Sequence, residues 1–581
     1  MSSTSITSRR DFLRTSAALL ALPWCHPARS FLIPGALAAA NPNLAQMLAV
    51  NLATRQRETN VRDRAAWAEL RSLTDWKQFI APRIEALRRS LGEFPASAAT
   101  LPIHVTRRQS GDGFQIENLV FGSRPGVFVT ANLYLPVNSP ALPRSSAKVP
   151  AIVIIHSHHN SKTQTELQDM GMTWARAGCA VIIPDLPGHG ERRDHPAGSR
   201  QDYRFRYYSA LQLHVLGDSL MGWMAWDISR ALDVVLQLAN VDGEKVILLG
   251  SVAGGGDPAA VVGALDPRFT CVAPFNFGGP QPETRFPLPD DAAVTFNYLG
   301  GGSWESTRNL RRSGSDGFLP WAIVASIAPR RLIYSHEFSW DRERDPVWRR
   351  LQQVYAWHGA GENLAFAHGH GRLSGRPSDA SHCNNIGITH RQRIHAALEK
   401  WFGIRAVEYS KPLPAAELAC MTPGLRAQLQ PRPAHEIYSD LAATRLATLR
   451  ARLTPLSPVA RRNLLRSEWN ERLGNVSPAA IRHASLNERQ NIAFLPRTRA
   501  ERFVLEIEPG VLVPSLLILP VTPAGNRVPL VIGLAQTGRE RFIAERGEVL
   551  SGLLGAGVGV CLPDVRGTGE TSPEGAREWR S

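Results

Sequence analysis

The chain has 581 residues, 43% of them hydrophobic and 20% charged, a composition of globular character and a length too great for one ordinary core. No run of about 18 apolar residues is present to span a membrane, so no membrane anchor is expected. The net charge of +15 rests on 66 basic residues, only six of them lysines, scattered in short pairs such as Arg192-Arg193 and Arg311-Arg312; without a basic stripe and aromatic partners, no nucleic-acid partner is expected.

The first forty residues read as an address. Ser8-Arg9-Arg10-Asp11-Phe12-Leu13-Arg14 resembles the twin-arginine export motif, followed by the apolar stretch Ala17 to Trp24 and the small residues Ala36 to Ala40. Residues 1–40 are therefore expected to be a leader, with a periplasmic or secreted mature protein. Six cysteines are present, none in a CxxC pair, which argues against a zinc site built on thiolates.

Residues 41–110 read as a mostly helical segment. Period-two alternation over Ile116 to Phe121 and Val127 to Pro136 predicts half-exposed antiparallel strands. Continuous apolar runs at Ala151 to Ile155, Ala180 to Ile183, Val246 to Leu249 and Arg331 to Tyr334 predict buried parallel strands. Helical stretches, notably Ser219 to Leu238 and Ala259 to Leu265, separate them. Strand alternating with helix implies an α/β fold with a mostly parallel sheet covered on both faces.

The pattern then restarts. Val149-Pro150-Ala151-Ile152-Val153 is echoed by Val528-Pro529-Leu530-Val531-Ile532, and Pro184-Asp185-Leu186-Pro187-Gly188-His189-Gly190-Glu191 by Pro563-Asp564-Val565-Arg566-Gly567-Thr568-Gly569-Glu570. Both echoes share an offset of 379 residues, which predicts a tandem duplication. The expected domains are 111–410, a linker at 411–430, and a partial second copy at 431–581. An incomplete parallel sheet exposes an edge, so packing on the first domain or pairing into a homo-oligomer is expected.

Four motifs in order carry a resemblance. Ile155-His156-Ser157-His158-His159-Asn160 follows one strand, and Leu249-Gly250-Ser251-Val252-Ala253-Gly254-Gly255-Gly256-Asp257 follows another. Ala264-Leu265-Asp266-Pro267-Arg268 comes next, and then His336 to Asp345. From about Phe114 to Phe402 the chain resembles the acetyl-xylan-esterase-like branch of the α/β hydrolases, and the pair His382-Cys383 also resembles glucuronoyl esterases. The resemblance implies an α/β-hydrolase fold, hydrolysis of a small-molecule or carbohydrate ester, and no cofactor.

It also implies roles. Members of that branch place a serine immediately before the three glycines, thirteen residues ahead of the Asp of the Ala-Leu-Asp-Pro-Arg segment; here that position is Ala253, whose methyl cannot attack a carbonyl. Ser251 is the alternative nucleophile if the turn is shifted. The orienting acid belongs on the loop after Tyr334, with Asp341 first and Glu337 and Asp345 behind it. His382 is the expected base and His370 its alternative. Backbone N–H groups of Ser157 and Gly254 would hold the oxyanion. His156 fits a strand-end histidine, and with Asn276 and Gln281 it is a candidate for the substrate pocket; the spacing of His156, His158 and His159 does not suit a metal. The expected function is an exported carboxylic-ester hydrolase lacking its usual nucleophile, or else a pseudoenzyme that binds carbohydrate or a protein partner, or a truncated gene product.

Overall fold

The protein is described by a computed structural model over residues 44–96, 101–137, 148–159, 161–194, 202–300, 310–376, 379–381, 386–474, 482–485, 498–521 and 527–573. The expected leader and the pair His382-Cys383 lie outside the described residues. The described residues form two compact units, one within 54–468 and the other from 44–53 together with 469–573.

In the larger unit nine strands form one sheet: β1 (Ile103–Ser110), β2 (Phe114–Arg124), β3 (Val127–Pro136), β4 (Val149–Ile155), β5 (Ala180–Pro184), β6 (Val241–Gly250), β7 (Cys271–Pro274), β8 (Arg331–His336) and β9 (Leu364–His368). Their order is β1-β2-β3-β5-β4-β6-β7-β8-β9. Pairing is antiparallel from β1 to β5 along that order and parallel from β5 to β9. Parallel neighbours need crossovers, and these bury both sheet faces. Val153, Ile155, Ile182 and Leu248 point into a core shared with the helices Leu73–Ser90, Leu220–Leu238, Asp257–Leu265 and Pro346–Trp357. Ile152, Ile154, Val181, Ile183, Ile247 and Leu249 point the other way, against the helices Thr165–Arg176 and Ile388–Phe402.

The expectation of half-exposed strands fails at β2 and β3, which are buried on both faces over most of their length. The polar members of the alternation do not meet water. Asn118 and Asn132 donate to the carbonyls of Glu417 and Leu418, so the segment expected to be a linker lies across the sheet and takes the place of solvent. Leu418 and Cys420 are fully buried there.

The smaller unit holds a five-stranded sheet of β10 (Arg482–Ser485), β11 (Thr498–Glu508), β12 (Val511–Pro520), β13 (Leu530–Ile532) and β14 (Gly559–Pro563), ordered β10-β11-β12-β14-β13. That is the order of β1-β2-β3-β5-β4, with the same sense at each pairing. Its core includes Leu516, Ile518, Val560 and Leu562 under the helix Arg539–Gly555. At the edge, Leu530, Val531 and Ile532 are exposed, whereas their counterparts on β4, flanked by β5 and β6, are buried.

Each unit carries the same charged trio. In the larger one the Lys162 ammonium lies 2.9 Å from the Asp185 carboxylate and 2.5 Å from that of Glu191. In the smaller one Arg539 pairs with Asp564 at 3.2 Å and with Glu570. Among the described residues no helix is long and apolar enough to cross a membrane.

Candidate active site

The carboxyl ends of parallel strands leave a crevice wherever the loops part, and the chemistry of such sheets gathers there. β6 runs to Gly250, and Ser251 continues its pairing by donating its N–H to the Ile155 carbonyl at 2.8 Å. Ser251 is extended (φ −69°, ψ 125°) and fully buried, and its Oγ has no hydrogen-bond partner. A wide turn over Val252–Gly256 follows, closed by the Gly256 N–H on the Ser251 carbonyl at 3.2 Å, and the helix Asp257–Leu265 begins at once.

The three glycines allow that turn to sink between strand ends. Gly254 has φ +88°, and a Cβ on it would collide with the Arg206 guanidinium and crowd His158. Gly255 lies against the carbonyls of Ile155 and His156, and Gly256 against that of Phe275. Ala253 lies in this turn, and its side chain is outside the described residues. Within Gly250–Gly256 the only hydroxyl belongs to Ser251.

Around the turn stand neutral histidines. His156 accepts the Leu186 N–H on Nε2 at 2.9 Å, so its Nδ1 carries the proton shared with the Ser157 carbonyl at 2.7 Å. Burial pushes its pKa down to about 4. His156 therefore ties the ends of β4 and β5 together. The ring nitrogens of His189 lie 3.0 Å from the Pro187 carbonyl and 2.8 Å from that of His158, with Arg206 Nη2 at 3.2 Å from Nε2. Ser157 and Gly254, expected to hold an oxyanion, flank this same junction. Arg206, from the helix Asp202–Leu216, is fully buried. Sequence reasoning missed it because a single arginine in an arginine-rich chain carries no signal.

The acids separate clearly. Glu337 follows β8 directly and is 1% exposed. Its Oε2 accepts from Asn276 Nδ2 at 3.1 Å, its N–H donates to Asn276 Oδ1 at 2.9 Å, and its carbonyl accepts from His390 Nε2 at 2.8 Å. Asp341 instead accepts the Leu288 N–H at 3.1 Å and pairs with Arg344 at 3.3 Å. Asp345 caps the helix Pro346–Trp357 through the Val347 N–H at 2.8 Å and accepts from Tyr334 and Trp340. Burial pushes the Asp345 pKa up to about 6.

His370 is exposed, and its N–H donates to Ser381 Oγ at 2.6 Å. Ser381 in turn donates its own N–H to the His370 carbonyl at 2.8 Å. Gly369 packs against both Ser381 and the Glu337 carbonyl. Ser381 thus lies beside the Glu337 backbone, and His382 lies outside the described residues.

A cleft of about 640 Å³ opens between the loops after β7, β8 and β9. Asn276, Gln281, His336, Trp340 and Asp341 are among its walls. Gln281 is buried and donates to the Gly279 carbonyl at 3.0 Å. Among the described residues no cluster of His, Cys, Asp or Glu is placed to hold a metal ion.

The sequence matches the Abhydrolase family over residues 64–375. Among solved structures it is similar to Methylesterase BT1017, at 18% identity and TM-score 0.50, covering 68% of this chain and 80% of that one. A glucuronoyl esterase from Solibacter usitatus is similar at 15% identity and TM-score 0.39, covering 57% of this chain and 95% of that one. No curated protein matches the sequence.

Proposed function

The chain belongs to the Abhydrolase family, and from that membership we propose that its larger unit is a carboxylic-ester site that binds its ligand without the attacking hydroxyl. The observation that carries this reading is the position of Ser251. It is the last rung of β6, fully buried, while the turn beyond it offers a methyl at Ala253 and then glycines. Loss of the nucleophile removes on the order of 10⁶ in turnover in the best-studied serine hydrolase, leaving what binding and the oxyanion donors supply. Glu337 is the acid we assign to the site, in preference to Asp341 and Asp345, whose carboxylates are engaged in capping and pairing. A carbohydrate ester is the ligand class we favour.

One observation favours a working hydrolase: the Ser251 Oγ is buried without a partner, a costly state that a shift of the turn toward a base such as His382 or His370 would relieve. Purified protein treated with a fluorophosphonate probe separates the two readings. No labelling of the wild type, with labelling gained in Ala253→Ser, is the expected result. Labelling of the wild type that disappears in Ser251→Ala would establish the hydrolase instead.

We also read the smaller unit as a partial second copy of the hydrolase domain and residues 1–40 as a twin-arginine leader. The shared strand order and the repeated charged trio support the first reading. Export of a folded reporter by residues 1–40, abolished by Arg9→Lys with Arg10→Lys, tests the second.

A further inference from the structure

The helix Asp202–Leu216, which bears Arg206, is apolar on two sides. Its inner face buries Arg206, Ser209, Ala210 and Leu213, the last two in the main core of the larger unit. From Phe205 to Leu216 its exposed residues are Tyr207, Tyr208, Leu211, Gln212 and Val215, and none of them is charged. Tyr208 is 52% exposed, Leu211 47% and Val215 89%. The two tyrosine rings meet edge to face with centroids 5.7 Å apart and present one block of aromatic surface. A surface helix ordinarily turns a charged face to water, and one that is apolar all round is built to be covered on both sides.

The pattern also says what would cover it. Tyr207, Leu211 and Val215 stand at i, i+4 and i+8 on one ridge of the helix, with Tyr208 and Gln212 on the ridge beside it. The ridge is bulky at its start and small at its end, with Leu211 midway. A second such helix laid on it antiparallel, about a two-fold axis at Leu211, sets Tyr207 of each against Val215 of the other. The face is therefore its own complement. Its four large side chains expose on the order of 400 Å², a patch of the size that marks an interaction site and about half of what each partner buries in a stable pair. That area suits the core of an interface, completed by a polar rim. The chain carries a net charge of +15, so two copies repel except where they meet through an uncharged face. A lipid surface would instead call for exposed basic residues on the same helix, and from Phe205 to Leu216 it has none.

We propose that the outer face of this helix is a homodimer interface, with Leu211 on its two-fold axis. The inner face of the same helix seats Arg206 beside Gly254, so the contact braces an element of the candidate site without entering it. The proposal does not depend on ester chemistry.

Light scattering after gel filtration, with sedimentation velocity of the full chain over a range of concentrations, tests it. The expected result is a dimer at tens of micromolar that dissociates on dilution. Leu211→Glu, which sets two carboxylates against each other on the axis, is expected to weaken pairing on the order of a hundredfold. Leu211→Cys is expected to give a disulfide-linked dimer, on oxidation by copper phenanthroline in air, beyond any that the wild type forms. Thermal melting within a few degrees of wild type checks that the variants fold; if Leu211→Glu melts earlier, Val215→Arg serves in its place. A monomer at every concentration overturns the proposal. So does a dimer that Leu211→Glu leaves intact, as one formed through the open edge at β13 would be. A monomer that sediments with phosphatidylglycerol vesicles, and no longer does so as Leu211→Glu, assigns the face to a lipid surface and overturns it too.

Discussion

Asn276 and Glu337 grip each other by two bonds, the amide donating to the carboxylate at 3.1 Å and the Glu337 N–H donating to the amide oxygen at 2.9 Å. The pair joins the ends of β7 and β8, and Asn276 reaches it from a left-handed backbone (φ +56°), a region that Asn tolerates better than most residues. Asn276→Ala removes both bonds and leaves a buried carboxylate short of a donor. A loss of about 2–4 kcal/mol in urea unfolding is expected. Asp341→Asn, whose carboxylate is part-exposed, is expected to cost under about 1 kcal/mol.

Lys162 neutralises the buried Asp185 carboxylate and the part-buried one of Glu191. Lys162→Met leaves Asp185 and Glu191 without their cation, and a loss of about 3–5 kcal/mol is expected. The Lys162 ammonium and the other polar groups around Asp185 hold its carboxyl below the usual carboxylate range against the effect of burial. Its contribution is therefore present above about pH 4, the unfolded value, and fades as pH falls through the folded one. The gap between wild type and variant should stay constant from pH 6 to 8 and narrow below pH 4, as read by denaturant titrations at each pH.

Three buried histidines are kept neutral: His156 at about 4, His336 at about 3, and His189 well below its ordinary value, each chiefly through burial. Their folded pKa values lie below the unfolded one near 6.5, so the unfolded chain takes up protons first as pH falls. Stability is complete above pH 6.5 and drops on acidification by up to about 1.4 kcal/mol per pH unit for each histidine. Unfolding at pH 7 and pH 5 should reveal this slope. His156→Gln should lower it by one proton.

Gly254 admits no side chain. Gly254→Ala must place a Cβ on a backbone at φ +88° and against Arg206, and a loss of about 2 kcal/mol or more is expected by thermal melting. Gly243→Ala, where a Cβ meets open space, is the matched control and should change stability little.

The parallel strands and the glycine-rich turn were legible because apolar runs and the glycine triplet are local signals. The different surroundings of Glu337, Asp341 and Asp345 were not. They depend on Asn276, sixty-one residues before Glu337, and on the partners Leu288, Arg344 and the helix N-terminus. The alternation in β2 and β3 was read correctly as strand but wrongly as half-exposed, because the segment around Leu418 that covers it comes nearly 300 residues later. β9 is five residues long and gives too short a period to be recognised.

The bonds among Lys162, Asp185 and Glu191 span about thirty residues of chain, and so do those among Arg539, Asp564 and Glu570. Each clasp ties the start of a helix to the end of the strand that follows it, and loops so short close at little entropic cost. A stretch of gene encoding this block brings its own fastener. Its ion pairs need no side chain from the later strands, although Glu191 also accepts the N–H groups of Cys420 and Met421 from far along the chain.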